Sequence, residues 1–240
     1  MRSRRRIPEL MDDPALDPAE HRAALAGLAR INRLSRSAGI LWPDVRDLAA
    51  RLGRPVRLLD VATGSGDVPL ALLKRAGANG VALAVRACDI SPTAIAAAAP
   101  EVNAFTHDVL RDPLPGGFDV ATCSLFLHHL SDDDAVTLFG RMEAAAPLVL
   151  VNDLARSRLG FAAAWAGCRV LTRSRVVRFD GPASVRSAYT PAEALALAER
   201  AGLRGATVAR RWPFRFLLRW EALEAVSFQP NHRCPRPAEG

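Results

Sequence analysis

From residue 54 onward, short apolar runs alternate with longer stretches whose apolar residues recur at helical spacing. The runs fall at 56–61, 81–88, 102–105, 118–124 and 147–151, each of strand length. Between them the spacing predicts helices over about 67–75 and 93–99, and another opening at Ser131. Strands alternating with helices are the pattern of a doubly wound, mostly parallel α/β sheet. Near the end, Thr190-Pro191-Ala192-Glu193 forms a capping box for a helix to Ala201. Residues 206–211 and 215–221 then read as an antiparallel hairpin around Trp212-Pro213, bringing the sheet to seven strands.

Two segments do not follow this alternation. Residues 1–53 read as a basic arm, expected to be disordered, and a helical cap that either packs against the main domain or forms a lid over a substrate pocket. Asp17-Pro18-Ala19-Glu20 supplies an N-cap acid and a proline at the first helical position. Leu25, Leu28 and Ile31 share one face of that helix, and a second helix is expected from near Pro43 to about Gly53. Residues 156–189 read as an insertion after the fifth strand. The expected organisation is therefore 1–53 arm and cap, 54–226 main domain carrying the 156–189 insertion, and 227–240 tail.

Composition changes this picture little. At 240 residues, half of them hydrophobic, the chain suits one large domain. No apolar run approaches the ~20 residues of a membrane span, and no secretory h-region follows the basic start, so a cytoplasmic location is expected. Cys88, Cys123, Cys168 and Cys234 lie far apart, a pattern of neither zinc site nor disulfide framework; no metal is expected. Of the net charge of +7, Arg2, Arg4, Arg5 and Arg6 supply four, leaving +3 for the rest. Lys74 is the only lysine. This is compositional bias toward arginine rather than a basic face, and nucleic acid is not the expected partner.

The most specific local feature is Asp60-Val61-Ala62-Thr63-Gly64-Ser65-Gly66-Asp67. Strand, glycine-rich turn and helix together bring backbone N–H groups close to a bound cofactor. The dinucleotide fingerprint needs a third glycine where Pro69 stands, and the P-loop needs a lysine that is absent. Both phosphate cradles are excluded.

Asp60-x-Ala62-x-Gly64-x-Gly66, with Asp89 ending the second strand and Asp108-Val109 after the third, resembles the class I S-adenosylmethionine-dependent methyltransferases over most of 56–153. The form with Ala62 in place of the first glycine is similar to menaquinone and ubiquinone C-methyltransferases. Pro8-Glu9-Leu10-Met11-Asp12, Gly27-Leu28-Ala29-Arg30-Ile31-Asn32 and Asn152-Asp153-Leu154-Ala155-Arg156-Ser157-Arg158 resemble bacterial methyltransferases of phenolic and polyketide lipids. The resemblance implies S-adenosyl-L-methionine as cofactor. It places Asp60, Ala62, Gly64 and Gly66 in the cradle, Asp89 and Ile90 at the ribose, Asp108 and Val109 at the adenine, and Ser124 at the methionine end.

Methyl transfer from a sulfonium needs alignment of nucleophile, methyl and sulfur, and exclusion of water. A phenolic or enolised acceptor also loses a proton. His128 and His129 end the fourth strand, where open α/β sheets bind ligands, and are either bases or walls of the cofactor pocket; His107 is a weaker candidate. Asn152 and Asp153 either orient substrate or cap the next helix. Arg156 and Arg158 either hold an anionic group or begin a solvated helix. Trp42, Phe161 and Trp165 are pocket lining or core. The insertion, nearly uncharged over 159–168 and basic at 169–175, reads as a lid, a helix meeting lipid, or a buried helix. The expected reaction is methylation, at carbon or oxygen, of an apolar phenolic, quinone-like or polyketide-derived small molecule. The alternatives are an RNA methyltransferase and a non-catalytic cofactor-binding protein. Nothing in the sequence specifies an oligomeric state.

Overall fold

A computed structural model describes residues 1–222 other than Arg2, Pro14 and Ser35. The 227–240 tail and Cys234 lie outside the described residues.

The seven strands are β1 Val56–Val61, β2 Leu83–Asp89, β3 Ala104–Thr106, β4 Val120–Ser124, β5 Leu148–Leu154, β6 Thr207–Arg211 and β7 Arg215–Glu221. They form one sheet in the order β3-β2-β1-β4-β5-β7-β6, parallel except for β7, which runs antiparallel to both neighbours. Strand order reverses between β1 and β4, the switch point at which such sheets open a crevice beyond their carboxyl ends. The helices are α1 Pro18–Leu34, α2 Ser37–Leu52, α3 Asp67–Ala78, α4 Pro92–Ala97, α5 Asp132–Ala145, α6 Arg158–Leu171, α7 Arg175–Ser187 and α8 Pro191–Arg200.

Central strands buried on both faces explain their near-continuous apolar runs. Alternate residues feed two cores. Leu59, Val61, Ala121, Cys123, Val149 and Val151 face α5 and α8 through Leu138, Phe139, Met142 and Leu197. Leu58, Val120, Leu148 and Leu150 face α2 and α3 through Leu41, Trp42, Val45 and Leu72. Burial at ~25 cal/mol per Å2 of apolar surface makes these layers the main source of stability. A smaller cluster of Ala24, Cys168, Val176 and Val177, with Leu28 and Ile31 against it, joins α1, α6 and α7 into a roof.

Several boundaries differ from the sequence reading. Helix α2 starts at Ser37 with Pro43 inside it, because Ala38, Ile40, Leu41 and Trp42 are all drawn into the core. Strand β5 continues through Leu154, since β7 pairs with it up to Leu154–Arg215. Strand β3 is shorter, as Pro100–Val102 turns as a 3-10 helix first. The 156–189 insertion is the helical pair α6 and α7. The capping box at Thr190 forms as the sequence indicates, and the helix expected to open at Ser131 does so with a second box, between Ser131 and Asp134.

The arm is also ordered where disorder was expected. Arg4 donates to the Ser187 and Leu130 carbonyls at 2.6 Å and to the His128 carbonyl at 3.1 Å. Its guanidinium lies over the Tyr189 ring, 3.6 Å from the centroid. The Leu10 and Met11 N–H groups donate to the Asp180 carboxylate at 2.8 and 3.1 Å. Carbonyls at the ends of α7 and of the loop after β4 need donors, and arginines of the arm supply them.

Candidate functional site

Asp60 is 1% exposed beneath the glycine-rich turn. Thr63 Oγ1 donates to its Oδ2 at 2.7 Å and Thr122 Oγ1 to its Oδ1 at 2.6 Å. Burial disfavours its charge and carries its pKa up to about 7, against the pull of the two hydroxyls. Asp60 therefore shapes the turn from below and does not line the cavity above it. Ala62, Gly64 and Gly66 all have left-handed backbone, with φ of 54°, 57° and 71°. A side chain at Gly66 would press on Val102 at 3.2 Å, whereas at Gly64 the nearest atom is Leu25 at 4.0 Å. A side chain at Gly66 would thus have to displace Val102, whereas Gly64 leaves open the space a ligand needs.

Asp89 stands across from the turn. Its Oδ2 accepts from the Gly64 N–H at 2.8 Å and its Oδ1 from the Ser91 N–H at 2.9 Å. Each oxygen keeps a lone pair, so the carboxylate can still receive two adjacent hydroxyls. Ile90, 63% exposed, lies beside it. Further along, Asp108 Oδ1 accepts from Leu110 N–H at 3.0 Å, Val109 is buried, and His107 Nε2 is a buried polar atom with no partner among the described residues. Such an atom is costly unless a ligand satisfies it. Beyond the other side of the turn, Asp67, Asn32 and Arg215 form a polar group. The Arg215 guanidinium, 3% exposed, donates to Ser37 Oγ at 2.6 Å. Burial lowers its pKa to about 10, opposed by the charges of Asp153 and Asp67. Burial raises the pKa of Asp67, with the Asn32 hydrogen bond opposing.

These residues line a cavity of about 1060 Å3, larger than the pockets of most single small ligands. Much of the remaining lining is apolar. Leu25, Leu28 and Ile31 descend from α1, and Gly160, Ala163, Ala164 and Gly167 present small side chains from α6.

A charged cluster also lines the cavity. His128 Nδ1 donates to Asp153 Oδ1 at 2.7 Å, and the His128 backbone N–H donates to Asp153 Oδ2 at 3.0 Å. On the opposite ring edge, His128 Nε2 is 3.5 Å from Glu9 Oε1. Glu9 Oε2 is 3.7 Å from His129 Nε2, and Ser184 Oγ donates to Glu9 Oε1 at 2.5 Å. Burial alone would lower the pKa of His128; Asp153 and Glu9 override it and raise it to about 10. Burial would likewise raise the pKa of Glu9, but the histidines and Ser184 hold it below its ordinary value. His128 is thus an imidazolium between two carboxylates at neutral pH, a donor rather than a base. The donor atoms of Glu9, His128 and His129 lie within 4.8 Å of one another, a spacing also able to receive a cation.

Of the residues singled out in the sequence, Ala62, Gly64, Asp89, Ile90, Asp108, Val109, Ser124, His128 and His129 line this cavity. Asp60, Gly66, Trp42, Asn152, Asp153, Arg156, Phe161 and Trp165 do not. Trp42 is in the α2 core. Asn152 donates to Ser124 Oγ at 3.5 Å, and Asp153 reaches the cavity only through His128. Arg156 is taken up by the Ala188 carbonyl and Glu193. Phe161 packs under Arg186, and Trp165, half-exposed, under Arg169. The sequence reading missed Glu9, Asn32 and Arg215 as site residues, and gave Asp67 no role although it ends the turn.

The sequence model of a family described as a methyltransferase domain matches residues 58–146. No curated protein sequence matches the chain significantly. Among solved structures, the O-methyltransferase NcsB1 from neocarzinostatin biosynthesis, in complex with S-adenosyl-L-homocysteine and 1,4-dihydroxy-2-naphthoic acid, is 22% identical. The match covers 90% of this chain and 62% of NcsB1, with a TM-score of 0.60. The S-adenosylmethionine-dependent methyltransferase SibL is 20% identical over 89% of this chain and 60% of its own, with a TM-score of 0.57. Magnesium protoporphyrin IX methyltransferase of Synechocystis is 15% identical over 88% and 90%, with a TM-score of 0.53. The chain spans about three fifths of the length of NcsB1 and SibL. It has the class I S-adenosylmethionine-dependent methyltransferase fold.

Proposed function

We propose that this chain transfers a methyl group from S-adenosyl-L-methionine to a carbon or oxygen of an apolar small molecule of phenolic, quinone-like or polyketide-derived type. The observation that carries this reading is the continuity of the cavity. Asp89, the apolar residues of α1 and α6 and the Glu9–His128–His129 cluster all line one space. NcsB1, which shares the fold, was solved with a dihydroxynaphthoic acid.

In this reading Asp89 accepts the ribose hydroxyls, His107 and the Asp108–Val109 turn meet the adenine edge, and Asn32, Asp67 and Arg215 receive the amino-acid end. The sulfonium supplies an already activated methyl group. The rest is positioning: the apolar chamber excludes water and holds the acceptor in line. His128, with one ring edge on Asp153 and the other facing Glu9, fixes the position and charge of Glu9 beside His129. His129, the more exposed imidazole, takes the acceptor's proton, and Glu9 offsets the charge that develops.

Calorimetry with the cofactor and its demethylated product, followed by transfer of labelled methyl to dihydroxynaphthoates and alkylated phenols, tests this. Binding of both and label in the phenolic fraction are expected. Absence of binding sinks the reading; label appearing only in RNA replaces the acceptor; binding without transfer to any acceptor favours a non-catalytic cofactor-binding protein.

A further inference from the structure

We propose that the outer face of α6 and the β6–β7 turn dock on an anionic lipid bilayer, with the cavity opening at that contact. The face is apolar without being covered. Leu159 is 72% exposed, Val170 83% and Trp165 49%, separated by Ala162, Ala163 and Ala166, all exposed. The turn adds Trp212 at 74% and Phe214 at 41%. The two parts abut: a side chain at Gly160 would meet Phe214 at 3.2 Å. Large apolar side chains gathered on one surface mark a partner, and tryptophans beside arginines suit the lipid–water boundary.

Charge selects among possible occupants. Residues 154–179 contain six arginines and no Asp or Glu. Arg156 and Arg175 pair with Glu193 and Glu20, and Arg178 binds the Thr172 and Arg169 carbonyls. Arg158, Arg169 and Arg173, with Arg210 and Arg211 just before the turn, are exposed and have no carboxylate partner among the described residues. A second copy on this face would set guanidinium groups that lack a carboxylate partner against their own copies, since a two-fold interface pairs like with like. Nucleic acid would neutralise the arginines but leave Leu159, Val170 and Trp212 in water. A bilayer with anionic headgroups satisfies both halves of the surface.

The position gives the contact a use. Gly160, Ala163, Ala164 and Gly167 on α6, with Trp212 and Phe214, also line the cavity. No helix of the described residues is long and apolar enough to cross a membrane, so the contact is peripheral. An acceptor with a long apolar tail would then enter from the lipid rather than through water.

Sedimentation of the full chain with phosphatidylcholine vesicles, with and without phosphatidylglycerol, tests the proposal. Binding to the anionic vesicles alone is expected, weakening as salt rises. Arg169→Gln with Arg173→Gln should lower the partition about tenfold or more, each cation near the surface contributing about fivefold. Trp165→Ser with Val170→Ser should lower it too, with the cofactor affinity of both variants unchanged as the check on folding. Equal binding to neutral vesicles, none to anionic ones, or a concentration-dependent dimer abolished by Trp165→Ser overturns it, as does selective RNA binding that the arginine variant loses. Vesicle binding is read without methyl donor or acceptor, so it can fail while methyl transfer stands, and the reverse.

Discussion

Asp60→Asn isolates the acid under the turn. In the wild type both carboxylate oxygens accept from threonine hydroxyls, and the residue is buried. Each tenfold displacement of an ionisation equilibrium is worth about 1.4 kcal/mol. Raising the folded-state pKa from 3.8 to about 7 therefore corresponds to up to about 4 kcal/mol. The sign follows from proton uptake: between pH 4 and 7 the folded protein holds a proton that the unfolded chain has released. The contribution is fully present below pH 4 and lost as pH rises through about 7. Asparagine imitates the protonated acid, offering one acceptor and one donor to hydroxyls that can do either. Urea unfolding of both proteins from pH 4.5 to 8, as the difference between them, reads this one group. The difference should grow in favour of the variant by up to about 1.4 kcal/mol per pH unit, then level off. Parallel pH profiles would show that Asp60 is ionised in the folded protein and refute the burial argument.

Three further outcomes follow from the site. Asp89→Asn should weaken S-adenosylmethionine binding by about 1–3 kcal/mol in calorimetry; an unchanged affinity would remove Asp89 from the ribose. Ala62→Gly should raise unfolding stability by up to about 1 kcal/mol, because the left-handed backbone at 54° costs alanine more than glycine loses in chain entropy; a loss of stability would contradict the strain. Glu9→Gln should cut the methyl-transfer rate at least about tenfold while leaving cofactor affinity intact, and a parallel loss of both would mean that Glu9 only holds the roof in place.

The parts of the molecule that were legible are those written locally. The alternation of strands and helices, the Thr190 capping box and the Asp60–Asp67 turn rest on neighbours a few residues apart, and each formed. Pro43 misled because a local helix breaker was outweighed by burial of Ile40, Leu41 and Trp42. Asn152 and Asp153 were placed after β5 because a run of polar residues ends an apolar pattern; pairing with β7 keeps them in the strand. Arg156 and Asp153 attracted attention by charge, yet their partners, Glu193 and His128, come from distant segments. Glu9 sits in an arm that composition marked as solvent, and nothing near it announces a histidine.

That last point bears on how the molecule comes to be finished. Glu9 meets Ser184 across 175 residues, and Arg215 meets Ser37 across 178. The turn and Asp89, by contrast, join across 25. Contacts so far apart in sequence close large loops and form late. A growing or refolding chain would thus join the turn to Asp89 well before Arg215 arrives at the donor's amino-acid end or Glu9 at the histidines. Competence for transfer arrives only when the first segment and the last hairpin have both come home.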